Sequence, residues 1–161
     1  MFGFAVAIGA PTVDITAISD DGGKSWTAGT TAPTGGVDAG LLCCARLDRN
    51  RIWVGTDGGG IWWSDDGSAV WTERTGWVGS GVGDIEDISF VNDHVAWMTR
   101  NDAAELATVY RTIDGGLTWD ALTTPVNLGI NQLWACDENH CFVVGEPTAA
   151  AVSFIAYAQP A

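Results

Sequence analysis

One eight-residue pattern, Ser/Thr-x-Asp-Gly-x-x-x-Trp, recurs three times in this chain: SDDGGKSW at 19–26, SDDGSAVW at 64–71 and TIDGGLTW at 112–119. The tryptophans that close it lie 45 and 48 residues apart. A period in the forties means that the chain repeats one supersecondary unit, which buries its apolar face only by stacking on its neighbours. Upstream of each copy runs an aromatic or β-branched segment, GFAVAIGA at 3–10, RIWVG at 51–55 and HVAWMT at 94–99; a fourth, HCFVVGE at 140–146, has no copy after it. Apolar residues alternate over short stretches between Gly-rich turns, and no 3.6-residue periodicity is present, so the unit is a blade of about four strands. Val37 to Glu73 divides into four such strand segments, and the stretch from Asp84 to Leu122 repeats their order.

The pattern is suited to fastening a hairpin turn. An Asp side chain accepts bonds from nearby backbone N–H groups, Gly supplies a positive φ, and the Ser or Thr hydroxyl is expected to tie the opposite strand. Ser19, Asp21, Gly23 and Trp26 take these parts in the first copy. Ser64, Asp66 and Trp71 do so in the second, and Thr112, Asp114, Gly116 and Trp119 in the third. Each Trp opens the following strand and can wedge its ring between sheets. The second copy has Ser68 and Val70 where the third has Gly116 and Thr118, which predicts a less regular turn.

These three segments resemble the Asp boxes, or BNR repeats, of sialidases, sortilin-type receptors, xyloglucanases and the photosystem II assembly-factor-like propellers. The last group is the most similar, because RIWVGTDGGGIWWSDDG at 51–67 resembles its blade nearly residue by residue. The resemblance implies an all-β fold, a β-propeller whose boxes are structural and lie away from any active site. The expected organisation is a single propeller segment, an arc of three to four blades with four-stranded antiparallel sheets. It divides into a partial blade at 1–36, blades at 37–83 and 84–129, and a partial blade at 130–161. Only about fifteen residues separate Phe4 from the first box, so the first blade is expected to lack its inner strand, and the last its outer strand. Two partial blades that each carry a second and a third strand cannot merge into one. Exposed strand edges call for cover, and further copies or other protein partners are expected to complete the ring.

Twenty acidic against seven basic residues give a formal charge of -13, which repels phosphate backbones and makes nucleic acid a poor partner. No stretch nears the roughly 20 apolar residues that cross a bilayer as a helix, so membrane insertion is not expected. The opening MFGFAVAIGAP has no basic n-region and reads as a strand, so no signal peptide is visible. The resemblance to exported propellers nevertheless favours an extracellular or virion-surface setting over the cytoplasm.

Cys136 and Cys141 flank the Asp-Glu-Asn-His turn of a hairpin and could face each other, a candidate disulfide that the resemblance to exported propellers supports. Cys43 and Cys44 are strand neighbours pointing to opposite faces. No cofactor is called for. Zinc would have to draw on His140 with Cys136 and Cys141 and is not expected, while calcium is less remote, through turn carboxylates at Asp20, Asp21, Asp65, Asp66 and 84–87. None of the arginines sits in the sialidase N-terminal motif, and no catalytic constellation emerges. The reading is therefore a non-enzymatic module for protein binding or structural assembly, part of a larger complex. The alternative is a carbohydrate-binding or glycosidase fragment of the sialidase or xyloglucanase kind. Trp62, Trp63 and Trp77 are the candidate interaction aromatics, since adjacent Trp62 and Trp63 must face opposite sides of one strand.

Overall fold

A computed structural model describes residues 5–9, 15–29, 31, 33, 40–77, 83–102, 104, 106–122, 129–145 and 154–158. Fourteen strands are assigned among them. They are β1 (Ala5–Gly9), β2 (Ile15–Ser19), β3 (Thr27–Ala28), β4 (Leu41–Arg46), β5 (Ile52–Thr56), β6 (Ile61–Ser64) and β7 (Thr72–Glu73). The remainder are β8 (Asp84–Phe90), β9 (Ala96–Asn101), β10 (Ala107–Thr112), β11 (Asp120–Leu122), β12 (Ile130–Ala135), β13 (Cys141–Gly145) and β14 (Phe154–Ala158). All pairings are antiparallel between chain neighbours, giving four sheets in the order β1-β2-β3, β4-β5-β6-β7, β8-β9-β10-β11 and β12-β13-β14. This is the meander of a propeller arc.

The boxes fix how the sheets correspond. Each begins at the last residue of a third strand, Ser64 of β6 and Thr112 of β10, and the first begins at Ser19 of β2. The first sheet therefore holds strands two to four of a blade, while the last holds strands one to three. Among the described residues the first sheet has no inner strand and the last no outer one. The expected boundary at 36/37 lies outside the described residues. The 84–87 segment, read from sequence as a source of turn carboxylates, is instead the start of inner strand β8. Its Ile85 and Ile88 are buried in the core, which outweighs the turn preference of the Asp residues between them.

The core lies between sheets. Trp53, Ile61, Ile85, Ile88, Met98, Tyr110 and Trp119 pack together where the second sheet meets the third. Trp97, Val109, Ile130, Leu133, Cys141 and Val143 do so where the third meets the fourth. Burying an indole of ~200 Å² at ~25 cal/mol/Å² contributes on the order of 5 kcal/mol before ordering costs, so these tryptophans dominate the stacking energy. Polar links run along the inner strands. Asp87 Oδ2 accepts the Leu133 N–H at 2.7 Å and Ser89 Oγ the Ala135 N–H at 3.2 Å, each reaching from β8 to β12. Asn101 bonds both the N–H (3.0 Å) and the C=O (3.3 Å) of Ile130.

Candidate functional site

The three boxes are the most ordered chemical motif, and their geometry is nearly identical. In the first, Ser19 Oγ accepts the Gly23 N–H at 2.8 Å and donates to Asp21 Oδ1 at 2.9 Å, and that oxygen takes the amides of Lys24 and Ser25. Ser64 and Asp66 repeat this with the amides of Ser68, Ala69 and Val70, and Thr112 and Asp114 with those of Gly116 and Thr118. The hydroxyl thus fastens its own turn rather than the opposite strand that the sequence suggested. Hydrogen bonds from Ser25, first its hydroxyl and then its amide, hold Asp21 down to about 2. Asp66 is lowered chiefly by the Val70 amide. In Asp114 partial burial pulls upward, but the Thr118 hydroxyl and amide outweigh it. These carboxylates are ionised acceptors committed to their turns.

The second box was expected to be irregular and is not. Ser68 takes φ 69°, beside 85° at Gly23 and 81° at Gly116, so the turn closes as in the other two. What it lacks is a hydroxyl at Val70; Ser25 and Thr118 each donate one to the second Asp oxygen at 2.6 Å. The reason for glycine at the third box is visible: a Cβ on Gly116 would lie 2.4 Å from Trp53 Cη2 of the preceding sheet. The closing tryptophans diverge, with Trp119 buried, Trp71 half-buried with its indole N–H on Thr31 O at 3.1 Å, and Trp26 47% exposed.

Trp62, Trp63 and Trp77 do not form an interaction surface. Trp62 is buried with Leu41 and Val54 on the side of the first sheet, and Trp63 stacks 6.0 Å from Trp53 on the side of the third. The Arg74 guanidinium caps Trp63 at 4.4 Å, a cation–π contact. Trp77 meets Tyr110 edge-on at 5.2 Å. Adjacent tryptophans face opposite ways as expected, but inside an arc both faces of a sheet are cores.

Cys136 and Cys141 are thiols and form no disulfide. The register explains why: Ala135 pairs with Cys141, and Cys136 N–H bonds His140 C=O, so the two cysteines sit one residue out of register on opposite faces. Cys141 is buried against the third sheet and Cys136 faces solvent. Among the described residues no group of three or more His, Cys, Asp or Glu side chains is arranged to hold a metal. Asp20, one of the acidic turn residues, instead bridges Arg46 at 2.9 Å and Arg49 at 3.2 Å. That bridge lies in a groove of about 690 Å³ between the first two sheets, on the box side.

The exposed apolar residues that matter lie on the last sheet. Backbone bonds Leu47–Arg51, Val91–Val95 and Cys136–His140 close equivalent first hairpins. Two residues on, Trp53, Trp97 and Phe142 therefore occupy one position, with Ala45, Ser89 and Trp134 as inner-strand partners. This row faces the next sheet. Trp53 is 4% exposed, packing at 5.4 Å on Phe90 of the third sheet, and Trp97 is 0% exposed, donating to Asp137 O of the fourth at 3.0 Å. On the last sheet the same row stays open: Trp134 is 72%, Phe142 46% and Val144 38% exposed. Together with Gln132, Leu133 and Asp87 they line a groove of about 370 Å³. Burial raises the Asp87 carboxyl, against the Leu133 and Ile88 amides that lower it.

The twisted four-stranded meanders, stacked sheet on sheet around their inner strands, define a β-propeller. No protein-family model and no curated protein matches the chain. Solved structures do. YCF48 bound to D1 peptide matches with a TM-score of 0.70 at 17% identity, over 99% of this chain and 49% of that one. YCF48 from Cyanidioschyzon merolae matches at 0.63 and 16%, over 99% and 52%. The Niastella koreensis GH74 enzyme matches at 0.59 and 17%, over 89% of this chain and 26% of that one. The chain shares the propeller fold of these proteins and spans about half the length of the two YCF48 chains.

Proposed function

We propose that the chain is a non-enzymatic propeller module that binds protein and helps build a larger assembly. The open row of Trp134, Phe142 and Val144 carries this reading, because its equivalents in the second and third sheets are covered by a neighbouring sheet. An apolar patch rimmed by polar groups is an interaction surface by its physical character. The solved structure of YCF48 with a peptide gives the same fold a protein ligand.

A second reading rests on one specific observation. Trp134 and Phe142 stand beside Asp87, whose carboxyl burial keeps partly protonated to higher pH, and GH74 enzymes have this fold. That arrangement suits a sugar ring stacked on an indole. Glycoside hydrolysis, however, uses two carboxylates about 5 to 9.5 Å apart, and Asp87 is the one carboxylate among the described residues lining the groove, with Oδ2 taken by Leu133 N–H. Two experiments separate the readings. Incubation with neutral, acidic and β-glucan oligosaccharides should release no reducing ends and produce no saturable quenching of tryptophan fluorescence; either signal would replace the first reading with the second. Peptides selected from a displayed random library should bind wild type and lose binding to Trp134→Asp.

A further inference from the structure

We infer that the groove between the third and fourth sheets, on the box side, is a docking site for an extended protein segment that carries aliphatic and basic side chains. It adds a second surface to the protein-binding reading and makes no use of the open row, so either can fail alone. Two equivalent grooves on this side differ in how they are closed. In the groove of about 690 Å³ between the first two sheets, the second box residue, Asp20, is held by Arg46 at 2.9 Å and Arg49 at 3.2 Å of the following sheet. In the other, of about 730 Å³, the second box residue is Ile113, and Ala135 and Glu138 stand where Arg46 and Arg49 do. Ala135 ends β12 as Arg46 ends β4, and Glu138 is central in its hairpin turn as Arg49 is in the turn from Leu47 to Arg51. These three residues form no latch, and Ile113 is left 57% exposed.

A cation is present, but on the other side of the groove. Arg111 precedes the third box where Ile18 and Trp63 precede the other two, and its guanidinium lies 5.9 Å from the Trp97 ring centroid. It lines the groove, and among the described residues it makes neither a hydrogen bond nor an ion pair; its Nη1 is buried with no acceptor. Hydrogen bonds from a charged donor are roughly twice as strong as neutral ones, and a buried donor left empty costs free energy. A ligand that brings an oxygen to this guanidinium therefore gains more here than at an ordinary surface.

The neighbours decide which oxygen. Asp93 and Glu138 also line the groove, and the chain carries 20 acidic against seven basic residues, so a ligand carboxylate is repelled where a neutral backbone carbonyl is not. The same carboxylates favour a lysine or arginine on the ligand. Asp93 already faces His94 at 2.9 Å and Arg51 at 3.8 Å, whereas Glu138 has no ion pair among the described residues, which makes Glu138 the counter-charge. Ile113 supplies the apolar contact. An extended segment presents carbonyls and alternating side chains together, and Arg111, Ile113 and Glu138 call for that combination in one ligand.

Fluorescein-labelled, capped peptides of alternating lysine and isoleucine, titrated by fluorescence anisotropy at about 0.15 M salt to screen diffuse attraction, test this. Wild type should bind them saturably. Arg111→Gln should raise the Kd about 10-fold or more, the loss expected when a hydrogen bond to a charged group goes. The double variant Ile113→Asp with Glu138→Arg supplies the pairing of Asp20 with Arg49 seen in the first groove; it should weaken binding as much while keeping Tm, and an unchanged far-UV circular dichroism spectrum checks the fold of both. Trp134→Asp should leave the Kd unchanged. Wild-type affinity in either groove variant overturns the inference, as does the absence of saturable binding at millimolar peptide. Equal affinity for peptides with glutamate in place of lysine also overturns it, because Arg111 would then be reading an anion. Binding lost in Trp134→Asp but kept in the groove variants assigns the peptides to the open row, overturning this inference and leaving the reading above in place.

Discussion

Ser68→Gly should stabilise this protein, although it deletes a buried side chain. Ser68 is the one non-glycine residue with positive φ among those described, at 69°, in the place that Gly23 and Gly116 hold in the other boxes. A left-handed conformation costs an L-residue with a Cβ roughly 1–2 kcal/mol. Its Oγ is also buried without a hydrogen-bond partner, and leaving a buried hydroxyl unsatisfied costs about 1–3 kcal/mol. Against these, glycine adds about 0.5–1 kcal/mol of unfolded-state entropy. The Ser68 amide keeps its bond to Ser64 Oγ at 2.9 Å either way. The balance is a gain of about 1–4 kcal/mol, or roughly 3–12 °C in Tm for a domain of this size. Calorimetry at one fixed protein concentration reads it, since coupled association would otherwise move Tm. An unchanged or lower Tm would refute the argument that strain and an unpaired hydroxyl are stored in this turn. Gly116→Ser is the converse and should lose stability, because it adds both strain and the collision with Trp53.

Asn101→Leu should lower stability by about 2 kcal/mol, seen as a lower urea midpoint at unchanged slope, because the buried Ile130 N–H and C=O lose their bridge to the third sheet; a loss below about 0.5 kcal/mol would show the bridge idle. Native alkylation followed by mass spectrometry should label one thiol, Cys136, without prior reduction, and all four in denaturant. Burial, with the Asp87 charge adding to it, pushes Cys44 up to about 11 and raises Cys43 well above its usual value, and Cys141 is buried; a Cys136 that reacts only after reduction would restore the disulfide. In acid the box carboxylates set the sign. Their folded pKa values lie below the unfolded value of about 3.9, so their stabilisation is complete above about pH 4 and is lost as pH falls, Asp21 titrating at about 2. Asp87 has the opposite sign, its folded pKa being raised; its contribution is fullest below the unfolded carboxyl range and declines as pH rises through the folded pKa, and Asp87→Asn should flatten this dependence while losing one of the two amide bonds that its oxygens accept from Ile88 and Leu133.

The boxes made the fold legible, because each encodes a turn whose hydrogen bonds are local and whose spacing sets the blade. That the first sheet has no inner strand and the last no outer one among the described residues followed from counting segments around them. Register across a hairpin was less legible: Cys136 and Cys141 flank their turn symmetrically in sequence, but the turn closes between Cys136 and His140, and a shift of one residue reverses the face. The candidate interaction aromatics fall on interior sheets. Trp62 and Trp63 stood out as an adjacent pair, yet an interior sheet is covered on both sides. Trp134 carries no local signal, and its exposure arises because it belongs to the end of the arc. Aligning it with Ala45 and Ser89 could have shown a tryptophan where the interior sheets hold small residues.

Hydroxyl-radical footprinting of the tryptophans with and without the selected peptides bears most directly on the claim that the open row binds protein. Trp53, Trp97 and Trp119 should be protected throughout, and Trp134 should be oxidised in the free chain and protected at saturating peptide. Oxidation of Trp134 that is equally fast with and without peptide would contradict the account.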